Sequence, residues 1–226
     1  ASFLARQGET QEAVQLCREI ATKNNIRTIC TLIFNAILSQ PQKVPAADMK
    51  QLSEWIELAK SEHPDDWKIR TQEAFLLDLG GKTAEAIVLL DEMKWEKLSE
   101  YERGMVANNR AYFNLKLGNN DEAISSDLEI AFENLGPKIE LLDTRAMALI
   151  EKNQFDAAVR DLSQATIFEP SSGRYHFHLA LAHQGRDDRV AAREALQLAQ
   201  AIGLSQKVME PSEKSKYETL QSWLEN

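Results

Sequence analysis

Residues Ile139–Pro170 read IELLDTRAMALIEKNQFDAAVRDLSQATIFEP. Apolar side chains recur in this stretch at intervals of three and four, from Leu142 through Ala146 to Leu149, then from Phe155 through Ala158 and Leu162 to Ala165. That is the period of two successive amphipathic helices. Pro170 closes the unit, because its ring and missing N–H end a helix. Within it, Ala146 is followed seven positions later by the turn residue Asn153, and Ala158 comes five positions after that. The same register returns as Ala74–Gly81–Ala86, Ala111–Gly118–Ala123 and Ala180–Asp187–Ala192, roughly every 34 to 37 residues. A helix–turn–helix recurring at this length marks an all-α solenoid of stacked repeats, each burying its apolar face on the next.

Working outward, four units follow one another at 65–98, 99–136, 137–170 and 171–204. In the first, Asp65 caps a helix running to about Leu79, Gly80–Gly81 turns the chain, and Ala86, Leu89, Leu90 and Met93 face the core. In the second, Ser99 with Glu102 has capping-box spacing, Ala107, Ala111 and Leu115 lead to Gly118, and Ala123, Ile124, Ile130 and Ala131 follow. Gly136–Pro137 separates it from the third, with Pro137 suited to a first helical turn. Upstream lies a degenerate repeat, 24–64. It has an apolar helix over Ile26–Ser39, a loop Gln40–Pro45 carrying Pro41 and Pro45, and a helix with Met49, Leu52, Ile56 and Ala59 ending near Pro64. Residues 1–23 read as a partial repeat: the end of a helix over 1–8, a turn at Gly8, and a helix with Ala13, Leu16, Cys17 and Ile20 on one face. Residues 205–226 hold a capping helix with Tyr217, Leu220 and Leu224 on one side and Glu213, Lys214, Lys216 and Glu218 on the other.

This register, with its closing proline, resembles the tetratricopeptide repeat, of the kind common in bacterial proteins and here as a C-terminal portion. Ala146, Phe155, Ala158, Leu162, Ala165 and Pro170 stand in the signature slots of that repeat, and Ala180, Ala192, Leu196 and Ala199 match in the last copy. The segments Asn108–Tyr112 and Leu141–Ala146 resemble stretches frequent in bacterial members. There are departures. His176 or Leu142 replaces the early aromatic, and Met93 and Ile130 stand where Ala165 and Ala199 fill the late small-residue slot. The resemblance implies a right-handed superhelix whose first helices line a concave groove. The groove-facing residues it implies are Lys68, Thr71 and Phe75, then Met105, Asn108 and Tyr112, then Glu140, Asp143 and Met147, then Arg174, Phe177 and Leu181. A strip of mixed charge with aromatic and methionine anchors suits an extended peptide or a helix. Glu140 and Asp143 favour a basic or amide-rich segment and disfavour a terminal carboxylate.

Composition narrows the function classes. The chain has 226 residues, 43% hydrophobic and 27% charged, with net charge −9. An acidic surface repels phosphate backbones and argues against nucleic acid. No apolar run reaches the ~20 residues of a membrane span. Two cysteines, Cys17 and Cys30, read as small core residues rather than a disulfide framework, and a cytoplasmic location is slightly favoured. His176, His178 and His183 lack the i, i+4 spacing of a helical metal site, and they read as structural. The carboxylates around Asp121–Glu122, Asp127 and Glu129 read as a solvated face. Gly80–Gly81–Lys82–Thr83 lacks the upstream glycine and strand of a phosphate loop. No catalytic residue, metal or cofactor is expected. The reading is a non-enzymatic protein–protein interaction scaffold. The alternative is an accessory module of a larger enzyme or signalling protein whose catalytic part lies upstream of Ala1. A cut first repeat would also leave an apolar end through which two copies can pair.

Overall fold

The computed structural model describes residues 10–22, 25–39, 46–119, 121–204, 209 and 211–225. The expected helix end over 1–8, the turn at Gly8 and the loop Gln40–Pro45 lie outside them. Among the described residues there are twelve α-helices, one short 3-10 turn (Trp95–Lys97) and no strand. The chain divides into two compact units, Ala1–Leu98 and Ser99–Asn226.

The first unit contains α1 (Thr10–Ile20), α2 (Ile26–Ser39), α3 (Ala46–Glu62), α4 (Trp67–Leu79) and α5 (Thr83–Asp91). Its core gathers Cys17, Ile26, Ile33, Phe34, Leu52, Ile56 and Ala59, with Trp55 added to the expected face of α3. The buried side of α1 is Val14 and Cys17, whereas Leu16 and Ile20 are 38% and 49% exposed. The side expected from the sequence is therefore rotated. The cap of α4 is Asp66, whose carboxylate accepts from the Lys68 amide, and Asp65 instead pairs with Lys94 at 3.6 Å. Cys17 and Cys30 are buried free thiols, and burial pushes Cys30 up to about 12, so its unreactive thiol form prevails at neutral pH.

The second unit contains α6 (Glu100–Leu117), α7 (Asp121–Leu135), α8 (Ile139–Glu151), α9 (Phe155–Phe168), α10 (Gly173–Gly185), α11 (Arg189–Ala201) and α12 (Pro211–Glu225). The Ser99–Glu102 capping box forms in both directions. Lys138, after Pro137, is the residue that precedes α8. Consecutive helices pack on one another from α6 through α11, and the first helices α6 and α8, then α8 and α10, also meet.

One turn geometry recurs at every helix pair that carries the register. Gly81, Gly118, Asn153 and Asp187 have φ of 78, 64, 57 and 59°. The amides that follow them reach back to Leu77, Asn114, Leu149 and His183 carbonyls at 2.8 to 3.0 Å. This double closure of the last helical turn is the Schellman motif. It brings Ala74 and Ala86, Ala146 and Ala158, and Ala180 and Ala192 to complete burial. The pair α6–α7 departs from the others. Its left-handed residue, Gly118, stands one position earlier relative to the second helix, so the buried slot comes six residues after it instead of five: Ala123 is exposed and Ile124 takes the slot. With that shift the late small-residue slot of α7 holds Ala131, fully buried, rather than Ile130.

Helices also touch without a side chain between them. A Cβ on Gly185 would lie 2.1 Å from Phe155 Cε1 and 2.2 Å from Cδ1. Gly185→Ala is therefore expected to destabilise the second unit by about 1–3 kcal/mol through overpacking, although alanine is the better helix former. Urea unfolding measures it, and an unchanged or raised midpoint would show that the Phe155 ring moves aside without cost.

Candidate interaction surface

The twelve residues expected to line a groove fall on the first helices of the four repeats. Lys68, Thr71 and Phe75 belong to α4 in the first unit. Lys68 is exposed, Thr71 is buried and Phe75 is half-buried against the first core. The other nine belong to the second unit and are carried by α6, α8 and α10.

On α6, Met105 and Tyr112 are half-buried and Asn108 is buried. Asn108 Oδ1 has no hydrogen-bond partner among the described residues. The Arg174 guanidinium of α10 sits over the Tyr112 ring, 5.5 Å from its centre, a cation–π contact joining α6 to α10. On α8, Glu140 is exposed, Met147 half-buried and Asp143 buried. On α10, Arg174 is exposed, while Phe177 and Leu181 are buried.

Asp143 lies at the centre of a charge cluster that sequence reasoning did not assemble. Its Oδ1 is 2.5 Å from His178 Nδ1, and its Oδ2 is 3.5 Å from Arg174 Nε. Glu213 of α12 completes the cluster, with Oε1 3.4 Å from His178 Nε2 and 3.5 Å from Arg174 Nε. Burial pushes His178 down, but the facing Asp143 carboxylate and its hydrogen bond, helped by Glu213, outweigh it and raise the pKa above 6.5. Burial pushes Asp143 up, but the His178 and Arg174 charges and the His178 hydrogen bond leave it below 3.8. Both shifts favour the charged forms, imidazolium and carboxylate, more than in the free side chains. The charge that Asp143 was expected to offer a basic segment is already compensated inside the unit, which leaves Glu140 as the exposed acid of that pair.

The apolar residues of the same face are covered by α12. Phe177, Leu181, Tyr217 and Leu220 form one cluster with Leu196 and Ala195 of α11, and Met147 packs at its edge. Polar contacts fasten the helix along its length: Lys216 to Glu151 of α8 at 2.6 Å, Gln200 Nε2 to Tyr217 Oη at 2.7 Å, and Arg193 to the Leu224 carbonyl at 2.8 Å.

Two further ion pairs tie first helices to second helices. Arg110 Nε donates to both oxygens of Asp127 at 3.1 and 2.9 Å. Arg145 grips Asp161 through Nε at 2.7 Å and Nη2 at 2.8 Å. They occupy equivalent positions, each arginine just before a buried alanine and each aspartate just before a buried leucine. Asp127 is thus 1% exposed and is a structural partner, not part of a solvated face. Of the other histidines, His176 Nε2 lies 3.1 Å from the Pro170 carbonyl, and His183 is half-buried at the end of α10. No group of three His, Cys, Asp or Glu able to hold a metal occurs among the described residues, and no described helix is long and apolar enough to cross a membrane.

No protein-family model matches the chain, and no curated protein does either. Solved structures do. A crystal structure of the Cut9–Hcn1 hetero-tetramer of APC/C aligns over 96% of this chain and 41% of its own, with TM-score 0.67 and 11% identity. A tetratricopeptide repeat protein from Parabacteroides merdae aligns over 99% and 89%, with TM-score 0.59 and 12% identity. YrrB, described as a tetratricopeptide-repeat protein with an unusual peptide-binding site, aligns over 93% and 97%, with TM-score 0.51 and 13% identity. The fold is of the tetratricopeptide-repeat type. At such identities the likeness reaches the fold and no further.

The charge cluster has a pH signature. His178, raised, contributes stability that is complete below its unfolded value of 6.5 and is lost as pH rises through the folded value. Asp143, lowered, contributes stability that is complete above 3.8 and is lost as pH falls through its folded value. The melting temperature of the second unit is expected to decline on the alkaline side of pH 6.5, and Asp143→Asn to flatten that decline by removing what raises His178. A variant with an unchanged slope would show that the pair does not titrate as a unit.

Proposed function

We propose that the chain is a non-enzymatic protein–protein interaction scaffold, and that the first-helix face of α6, α8 and α10 receives a peptide or helical segment. One observation carries this reading: an amphipathic helix of the chain itself, α12, already lies against α10 and α11 and meets the edge of α8, with Tyr217 and Leu220 in one cluster with Phe177 and Leu181. A surface that buries one amphipathic helix has the shape and chemistry to bury another. The neighbouring part of the face offers Met105, Asn108 and Tyr112, a methionine, an amide and an aromatic ring, which are adaptable anchors for a partner segment. The peptide-binding site reported for YrrB supports the general reading and says nothing about which residues bind here.

The test is capture from the source lysate by the parent chain beside an Asn108→Ala, Tyr112→Ala variant. Loss of an aromatic anchor from an interface costs about 2 kcal/mol or more, so capture is expected to fall at least about tenfold while helicity by circular dichroism stays the same. A partner retained equally by both would place the interaction away from α6 and contradict the proposal.

A further inference from the structure

We propose that α12 is an exchangeable occupant of the α8–α10 face, held there by a charge latch, and that the natural partner is an amphipathic helix of the same pattern. That pattern is an acidic residue in the first turn, an aromatic four positions later and a leucine three after that, as in Glu213, Tyr217 and Leu220. This rests on the reading of the first-helix face as the interaction surface and adds to it the class of ligand and its regulation.

Three observations support it. First, α12 reaches beyond the end of the array. It touches α10 and α11, with Glu213 on His178 and Arg174 of α10, but it also reaches α8, through Lys216 on Glu151 at 2.6 Å. A helix that only hid the last apolar surface would not need to engage the preceding repeat.

Second, the attachment near its start is electrostatic. Glu213 faces two cationic groups, His178 and Arg174, whose other partner, Asp143, lies on α8. With Glu213 removed, His178 and Arg174 keep Asp143 as a counter-ion, so release of the helix strands no buried charge. The two cations then present themselves to any incoming carboxylate in the same place.

Third, contact along α12 is partial. An open cleft of about 310 Å³ runs beside it, lined by Ile150, Phe155 and Leu181 of the array and by Ser215, Lys216 and Thr219 of the helix, and its apolar contact with the array centres on Tyr217 and Leu220, with Trp223 and Leu224 at the edge. A helix held by few apolar contacts opens ahead of a more fully packed one. A tethered helix nevertheless excludes a free competitor, because its effective concentration at the site is high. The face is thereby reserved for a helix that binds more tightly than α12 does.

The probe is a fluorescein-labelled peptide of residues Pro211–Glu225, titrated by anisotropy into the full chain and into a full-length Glu213→Lys variant, in which a third cation repels His178 and Arg174. The peptide is expected to bind the variant on the order of tenfold or more tighter than the parent, and Phe177→Ala added to the variant is expected to abolish the gain. If Glu213→Lys lowers helicity, Lys216→Glu, which repels Glu151, serves in its place. Absence of binding to either folded variant, or equal binding to parent and variant, would overturn the proposal and make α12 a fixed part of the fold. The capture test changes α6, whereas the peptide titration leaves Tyr112 and its contact with Arg174 intact, so the two readings can fail separately.

Discussion

Everything in this chain that can be called architecture depends on how closely two helix backbones approach at each crossing. Buried alanines at paired positions set that distance in α4–α5, α8–α9 and α10–α11, Ala111 with Ile124 sets it in α6–α7, and a left-handed residue in each intervening turn sets the direction from which the second helix returns. Neither works alone. An alanine without the turn would meet solvent, and the turn without a small residue would hold two helices too far apart to exclude water. The Schellman closure also satisfies carbonyls that would otherwise be left unpaired at the end of the first helix. Asn153 and Asp187 carry the strained φ without being glycine, as these two residue types tolerate.

From that constraint follows the division of labour among side chains. Second helices turn their apolar faces inward between the repeats, while in the second unit the first helices α6, α8 and α10 meet one another in sequence. Buried ion pairs, Arg110 with Asp127 and Arg145 with Asp161, fix first helix to second helix in two successive repeats. The last repeat has no counterpart, because Leu179 and Ala195 stand at the matching positions. Its polar investment goes instead to His178, which joins α8, α10 and α12. The shift from a repeated structural ion pair to a single cluster involving the terminal helix coincides with the place where α12 packs on Phe177 and Leu181.

Much of the fold was legible because small residues, turn residues and prolines act locally and recur. The four turn positions, the Ser99 capping box and most helix boundaries could be read directly. The error at Ala123 has a simple origin: alanine is common, and one extra residue between Gly118 and the slot moved it to Ile124 without disturbing the visible pattern. The error at Asp65 arose because two aspartates adjoin and only backbone geometry chooses between them. The candidate surface was less legible. First-helix positions followed from the register, but burial of Asp143 depended on a histidine 35 residues away, and coverage of Phe177 and Leu181 depended on where α12 docks. Charge pairing between helices has no period that a linear reading can detect.

The central claim is that the second unit is a rigid alanine-stacked array bearing a terminal helix that is less firmly held than the array itself. Amide hydrogen exchange of the intact chain, resolved by peptide, tests it most directly. The account predicts that α12 opens independently, with amides exchanging well ahead of those in α8, α9, α10 and α11, and that Glu213→Lys hastens α12 alone. Exchange of α12 in step with α10 and α11, in both the parent and that variant, would contradict it.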